Sequence, residues 1–388
     1  MAFDRVYLDW NATAPLSGVA REAMLSALEL PGNASSVHAE GRAARAAIDK
    51  ARRQVAALVG ADPQHVIFTS GATEAANWVL TPSFKMGRSP LTIGHLYVSA
   101  IEHPAIREGG RFVREQVSEI PVLATGLVDL DALKVLLDRH DSGAGLPMVA
   151  VMLVNNETGV IQPVAEAAKL VRAAGGLLVV DAVQAVGRIA VDITELDADF
   201  LILSSHKIGG PKGVGALVIR GEVMMPSVLV RGGGQEKGHR SGTENFPGIV
   251  GFGAAAEAVL RDLDLTRERL LQHRQRLEAG MRAVAPDVII HGEGSERVCN
   301  TTFFTLPGLK SETGQIAFDL EGVALSAGSA CSSGKVGQSQ VLMAMGQDPA
   351  MGALRISLGA TTDDIAIDRA LTAFQRIAAR RKMPERAA

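Results

Sequence analysis

Apolar positions along the chain fall into two alternating patterns. Between residues 42 and 60 they recur at Ala44, Ala47, Ile48, Ala51, Val55, Leu58 and Val59, the spacing of one helix face, and Gly60 supplies a stop. Short apolar runs without strict alternation occupy residues 65–69, 96–99, 148–154, 177–180, 200–203 and 215–219. Such runs predict strands covered on both faces, and the helical patterns between them predict a parallel or mixed sheet. After about residue 255 the texture changes. A charged helical pattern over residues 257–284 leads to short strands at 298–304, 323–326 and 354–358, then to a last helix from about 362 to 380. The predicted class is α/β, with a large mixed-sheet domain over residues 16–255 and a smaller α+β domain formed by residues 1–15 and 256–388.

Size and composition narrow the picture. At 388 residues the chain exceeds the usual limit of a single core, and 47% hydrophobic with 21% charged residues is a globular balance. A net charge of -3 gives no argument for nucleic acid or an anionic membrane as partner. The first residues lack a basic region followed by a long apolar stretch, and no run approaches the roughly 18 apolar residues of a spanning helix, so a cytoplasmic protein is expected. The two cysteines, Cys299 and Cys331, form no CxxC pair and no zinc-type spacing with histidine, so neither a disulfide framework nor a metal is expected.

In open α/β sheets ligands collect at the carboxyl ends of the strands, and the polar residues there form a consistent set. The run 200–203 is followed by Ser204-Ser205-His206-Lys207 and a Gly/Pro turn. A lysine leaving a buried strand edge is partly desolvated and fixed, which suits it to Schiff-base chemistry, although most lysines at strand ends are solvated surface groups. Strand 177–180 ends in Asp181, followed at three residues by Gln184. An acid there needs a compensating cation, and a protonated pyridine nitrogen is one. Asp181 with Lys207 is the arrangement expected for pyridoxal 5'-phosphate (PLP). Gly71-Ala72-Thr73 opens a helix and offers free N–H groups to a phosphate, or is an ordinary cap. His103, fixed by Pro104 just past a strand, is placed to stack on a ring or carry protons, and Asn155-Asn156 close the strand 148–154 on a turn.

These segments resemble, in order and spacing, the PLP-dependent cysteine desulfurases of the iron-sulfur-cluster and nitrogen-fixation type, within the class V aminotransferase group of fold-type I enzymes. The resemblance runs from Leu8-Asp9-Trp10-Asn11 through Ser204 to Gly213, Gly232-Gly233-Gly234-Gln235-Glu236 and Arg240-Ser241-Gly242-Thr243 to Gly328-Ser329-Ala330-Cys331. It implies that Lys207 is the Schiff-base lysine, that Asp181 pairs with the pyridine nitrogen, and that Gln184 bonds the phenolic oxygen. It further implies that His103 stacks on the ring, that Asn156 lies beside cofactor and substrate, and that Ala72, Thr73, Ser204 and His206 hold the phosphate. Thr243 then reaches the phosphate of the neighbouring subunit, so a homodimer follows. Arg355 clamps the substrate carboxylate, a pairing suited to its fork geometry.

The cysteines separate on context. Cys299 lies in a strand-like run and reads as a small buried hydrophobe, whereas Cys331 lies among glycine, serine and alanine, where the resemblance implies a nucleophile. The implied reaction converts L-cysteine to L-alanine, with sulfur passed to Cys331 as a persulfide and on to an iron-sulfur scaffold or another sulfur acceptor. Lys207, Cys331 and His103 are the implied catalytic residues. A selenocysteine lyase or an aminotransferase shares the cofactor chemistry and is the nearest alternative. A non-catalytic regulatory paralogue is expected to lack Lys207 or Cys331, and both are present. A P-loop nucleotide binder is disfavoured, since residues 209–213 lack the spaced glycines and the Ser/Thr after lysine. Trp10, Ala34 and Gln338 depart from the family pattern.

Overall fold

The continuous apolar runs form the middle of one large sheet. The computed structural model describes residues 5–328 and 338–381. Among them the sheet runs in the order Met224–Pro226, Ser83–Met86, Ser89–Ser99, Leu146–Met152, Leu177–Asp181, Phe200–Ser204, Gly215–Ile219 and Val66–Thr69, with Val117–Ile120 beside Ser89–Ser99. From Ser89–Ser99 to Phe200–Ser204 neighbours are parallel, and Gly215–Ile219 is antiparallel to both strands that flank it. The carboxyl ends of Val66–Thr69, Ser89–Ser99, Leu146–Met152, Leu177–Asp181 and Phe200–Ser204 therefore share one edge.

Both faces of this sheet are covered, which is why its strands carry no polar alternation. Val149 and Val151 point into a core with the helices Ala39–Leu58, Val164–Ala173 and Phe246–Arg261. Met148 and Ala150 point the other way, into a core with Ala72–Val79 and Pro104–Arg107. A second, antiparallel sheet has the order Ile289–Ile290, Thr301–Thr305, Leu354–Ser357, Ser326–Ala327. Its own core contains Phe304, edge-on to both Phe318 and Phe374, together with Leu277, Ile356 and Ile367.

The N-terminal segment belongs to both halves. Val6–Tyr7 pairs in parallel with Val323–Ala324, and Leu8 is buried in the core around Phe304. The chain then crosses to the large sheet, where Ala14 N–H donates to the His206 carbonyl at 2.9 Å and Ser17 N–H to that of Gly209 at 2.8 Å. Trp10 packs so closely on Gly359 that a Cβ there would fall inside the indole. This departure from the family pattern requires a glycine opposite it.

Several boundaries differ from the sequence reading. The charged pattern at 257–284 is two helices, Phe246–Arg261 and Leu263–Val284, meeting at Asp262. The predicted strand at 298–304 begins at Thr301, and that at 323–326 splits into Val323–Ala324 and Ser326–Ala327, which pair with different strands. Ser83–Met86 and Val117–Ile120 had no clear pattern. Among the described residues, no helix is long and apolar enough to cross a membrane, and no group of three or more His, Cys, Asp and Glu is arranged to hold a metal.

Candidate active site

A cavity of about 570 Å³ opens at the carboxyl edge of the large sheet. Five strand ends contribute to it. The turn after Val66–Thr69 brings Ala72 and Thr73, the strand Ser89–Ser99 leads to His103, Leu146–Met152 to Asn156, Leu177–Asp181 to Asp181 and Gln184, and Phe200–Ser204 to Ser204, His206 and Lys207. All nine of these sequence-predicted residues line the one cavity.

Lys207 lies in a single helical turn, residues Ser205–Lys207, and its side chain reaches the N-terminal crossing segment. Its Nζ donates to the carbonyls of Asn11 at 2.7 Å and Ala12 at 2.8 Å. Gln184 Nε2 donates to the same Asn11 carbonyl at 3.0 Å, while Gln184 Oε1 is buried with no partner. The Asn11 side chain is itself held by Arg188, Asn300 and Thr301.

Desolvation sets the protonation pattern. Burial pushes the Asp181 carboxyl up to about 6, against the opposing pulls of the Val183 N–H at 2.9 Å and the charge of Lys207. Burial, then Lys207, lowers His103 from the ordinary histidine range. Burial, then Lys207 and Lys212, takes His206 down to about 4, and its Nδ1 sits 3.1 Å from Thr13 Oγ1. Both imidazoles are therefore neutral at neutral pH. His103 Nδ1 accepts from Ala105 N–H at 3.1 Å, which orients the ring by capping the turn Pro104–Arg107.

The end of the cavity at Ala72 and Thr73 is built on a helix start. The eight-residue helix Ala72–Val79 starts at Gly71 without any side-chain cap, and Ala72 and Thr73 of its first turn line the cavity. Gly71 in turn sits against Gly215, where a Cβ would lie 2.7 Å from the Gly71 backbone. Only glycine at 215 lets that turn settle onto the sheet.

Two predicted residues stand elsewhere. Arg355 is buried behind Asn156, donating to its carbonyl at 2.8 Å and to Asp9 Oδ1 at 2.9 Å, with Nε lacking a partner. Thr243 is exposed and lines a neighbouring cavity of about 100 Å³ that shares Ser70 and Gly213 with the first. Cys331 lies outside the described residues. On the far side of that segment, Ser339 Oγ donates to buried Glu157 at 2.6 Å, and burial pushes Glu157 up to about 7 against the pulls of Ser339 and Arg355. Cys299 is buried, and burial raises its thiol above the ordinary range despite Arg188 and Arg274, which leaves it a poor nucleophile.

The family model of aminotransferase class V matches residues 6–369 of the chain. The chain belongs to the aminotransferase class-V family. Within it, the chain is 40% identical over 375 residues to the cysteine desulfurase of Sinorhizobium fredii, covering 94% of each chain. It is 38% identical over 380 residues to the cysteine desulfurase IscS of Dictyoglomus turgidum, covering 96% of this chain and 94% of the relative. Among solved structures, the NifS-like protein of Rickettsia africae superposes with a TM-score of 0.86 at 31% identity, over 97% of this chain and 99% of that one.

Two features of this class-V site escaped sequence reasoning. The carbonyls of Asn11 and Ala12 touch Lys207 from nearly 200 residues away, and a backbone acceptor leaves no trace in residue type. Glu102 is also buried at the site. An acid three residues past the buried end of a strand was the available signal.

Proposed function

We propose that the chain is a PLP-dependent cysteine desulfurase. The observation that carries this reading is the convergence of Lys207, Asp181, Gln184, His103 and an uncapped helix start in one cavity. The residues fit the cofactor. A half-buried carboxyl ionised above about pH 6 suits a protonated ring nitrogen, the unpartnered Gln184 Oε1 offers an acceptor to a ring hydroxyl, and the Ala72–Val79 start with Ser204 and neutral His206 suits a phosphate. When bound, PLP supplies an electron sink for the α-carbon of an amino acid.

The chain's own groups have the following roles in this reading. The Lys207 amine holds the cofactor and, once released, takes the proton from the substrate α-carbon. His103 covers the ring face and, being neutral, can accept the thiol proton of the substrate. Arg355 recognises the substrate carboxylate through two N–H groups, the carboxylate taking over contacts that now go to Asp9 and the Asn156 carbonyl. The Cys331 thiolate attacks the substrate sulfur. An S–S bond forms, the C–S bond breaks, and its electron pair is left on carbon, which is protonated to alanine.

The exposed position of Thr243, beside a cavity that shares walls with the active site, supports a homodimer in which it reaches across to the partner's phosphate site. The large domain at 16–255 carrying the cofactor, with 1–15 and 256–388 as the smaller one, is supported by the separate cores around Val151 and Phe304. The persulfide then serves iron-sulfur cluster assembly or another sulfur-transfer pathway.

The test is turnover of L-cysteine with a reducing thiol. Equal yields of alanine and sulfide are expected, with sulfide release abolished by C331A while the cofactor remains bound. Keto-acid formation instead would identify an aminotransferase, and full turnover by C331A would overturn the persulfide step.

A further inference from the structure

Buried Glu102 and half-buried Asp181 are close enough to repel each other, and only Asp181, which lines the cavity, has a role so far. Met152 and Asp181 are register partners on adjacent parallel strands. The Met152 N–H donates to Glu102 Oε1 at 2.6 Å, which sets the Glu102 carboxyl beside Asp181. Glu102 is 5% exposed, and its Oε2 has no hydrogen-bond partner.

The surroundings of the pair are asymmetric. Asp181 has a cation facing it, Lys207, and takes the Val183 N–H. Glu102 has the Met152 N–H from the strand Leu146–Met152 and, from Leu177–Asp181, only the like charge of Asp181. Its sequence neighbour His103 is neutral, and Lys207 acts on Asp181 and His103. A second full charge here would leave one carboxylate oxygen unsolvated and face the first charge across a low-dielectric gap. Burial and then Asp181 push the Glu102 carboxyl well above the ordinary range, whereas Asp181 rises only to about 6. Environments that push two neighbouring acids apart assign them different protonation states.

We propose that Glu102 is a positioning residue of this site, held as the neutral carboxylic acid, so that the pair presents one negative charge, on Asp181, to the ring nitrogen of the cofactor. Glu102 acts through Asp181 and touches no reacting atom. The purpose of that charge rests on the PLP reading above, while the protonation pattern is a property of the chain itself.

The experiment uses the purified full chain, without and with added PLP, as wild type, E102Q and D181N. Infrared difference spectra of wild type against E102Q at neutral pH are expected to show the C=O stretch of a buried carboxylic acid, lost in the variant. In D181N the same band is expected to titrate away at lower pH than in wild type, because the neighbouring charge is gone.

Thermal unfolding gives a second readout. A carboxyl raised in the folded state contributes stability that is fully present below its unfolded pKa and is lost as pH rises through the folded one. Glutamine stays neutral throughout. The Tm of E102Q should therefore gain on wild type progressively as pH rises from the range of a free glutamate through the raised range of the folded Glu102 carboxyl. Absence of the acid band at neutral pH, a flat or narrowing Tm gap, or a Glu102 titration unmoved in D181N would each overturn the proposal. A chain that shows the acid band but takes up no PLP would uphold the protonation pattern and refute the cofactor reading.

Discussion

The Lys207 Nζ lies 2.7 Å from the carbonyl oxygen of Asn11, and the side chain of that same Asn11 is tied to Arg188, Asn300 and Thr301 at the junction of the two sheets. The Lys207 amine is thus positioned by a segment whose own place depends on both halves of the protein. Placement of this kind is what catalysis requires of a nucleophile.

Removing that junction should cost stability as well as alignment. Asn11→Ala leaves buried Arg188 and Asn300 without their shared acceptor, and an uncompensated buried charged donor is expensive. A loss of about 3 kcal/mol in denaturant unfolding is expected. A change below about 0.5 kcal/mol would mean that the network is not coupled to the fold.

Cofactor affinity should depend on pH through Asp181. Its carboxyl is raised to about 6, first by burial, so it is ionised at neutral pH and protonated in acid. Only the ionised form pairs with a cationic ring nitrogen. Affinity for PLP, measured by spectroscopic titration, should fall as pH drops below about 6, approaching tenfold per unit. In D181N affinity should be weaker and lack that step.

In the proposed function Arg355 makes a separable contribution to substrate recognition. Replacing its fork with the point charge of Arg355→Lys should raise KM for cysteine by roughly a hundredfold, the equivalent of one charge-assisted pair, with the cofactor absorbance intact. An unchanged KM would exclude carboxylate recognition by this residue.

Away from the chemistry, Glu236 anchors the edge strand that leads to Ala72 and Thr73. Its side chain, 2% exposed, accepts two bonds from Arg52 at 2.6 and 2.8 Å and one from the Phe68 N–H at 2.9 Å. It does so from a left-handed backbone, φ 47°, that a non-glycine residue adopts only when held. Glu236→Ala should cost about 3 kcal/mol, and a double-mutant cycle with Arg52→Ala should return a coupling of at least about 1 kcal/mol.

The sequence carried the strand ends far better than the connections between distant elements. Apolar runs such as 177–180 and 200–203 are legible because both faces are buried, and the polar residues that follow them had to lie at the carboxyl edge. The helix Phe246–Arg261 had no predicted counterpart at its start, since Gly248, Gly251 and Gly253 carry no side chain to mark an apolar period. They are packing positions instead. A Cβ at Gly251 would strike Met24 at 2.6 Å, and one at Gly253 would strike the Ala51 backbone at 2.6 Å, so glycine lets this helix press onto Gly18–Leu28 and Ala39–Leu58. Ser83–Met86 and Val117–Ile120 lie at the sheet margin, where mixed polarity hides the period. The contact of Asn11 with Lys207 joins backbone to side chain across the whole large domain, and residue spacing cannot report it.

The most direct test fixes the cofactor where it sits. The purified chain, incubated with PLP and reduced with borohydride, should yield on peptide mapping a single pyridoxyl adduct on Lys207, absent from Lys207→Ala. A reduced adduct on another lysine, or none in a folded chain, would contradict the assignment on which the proposed function stands.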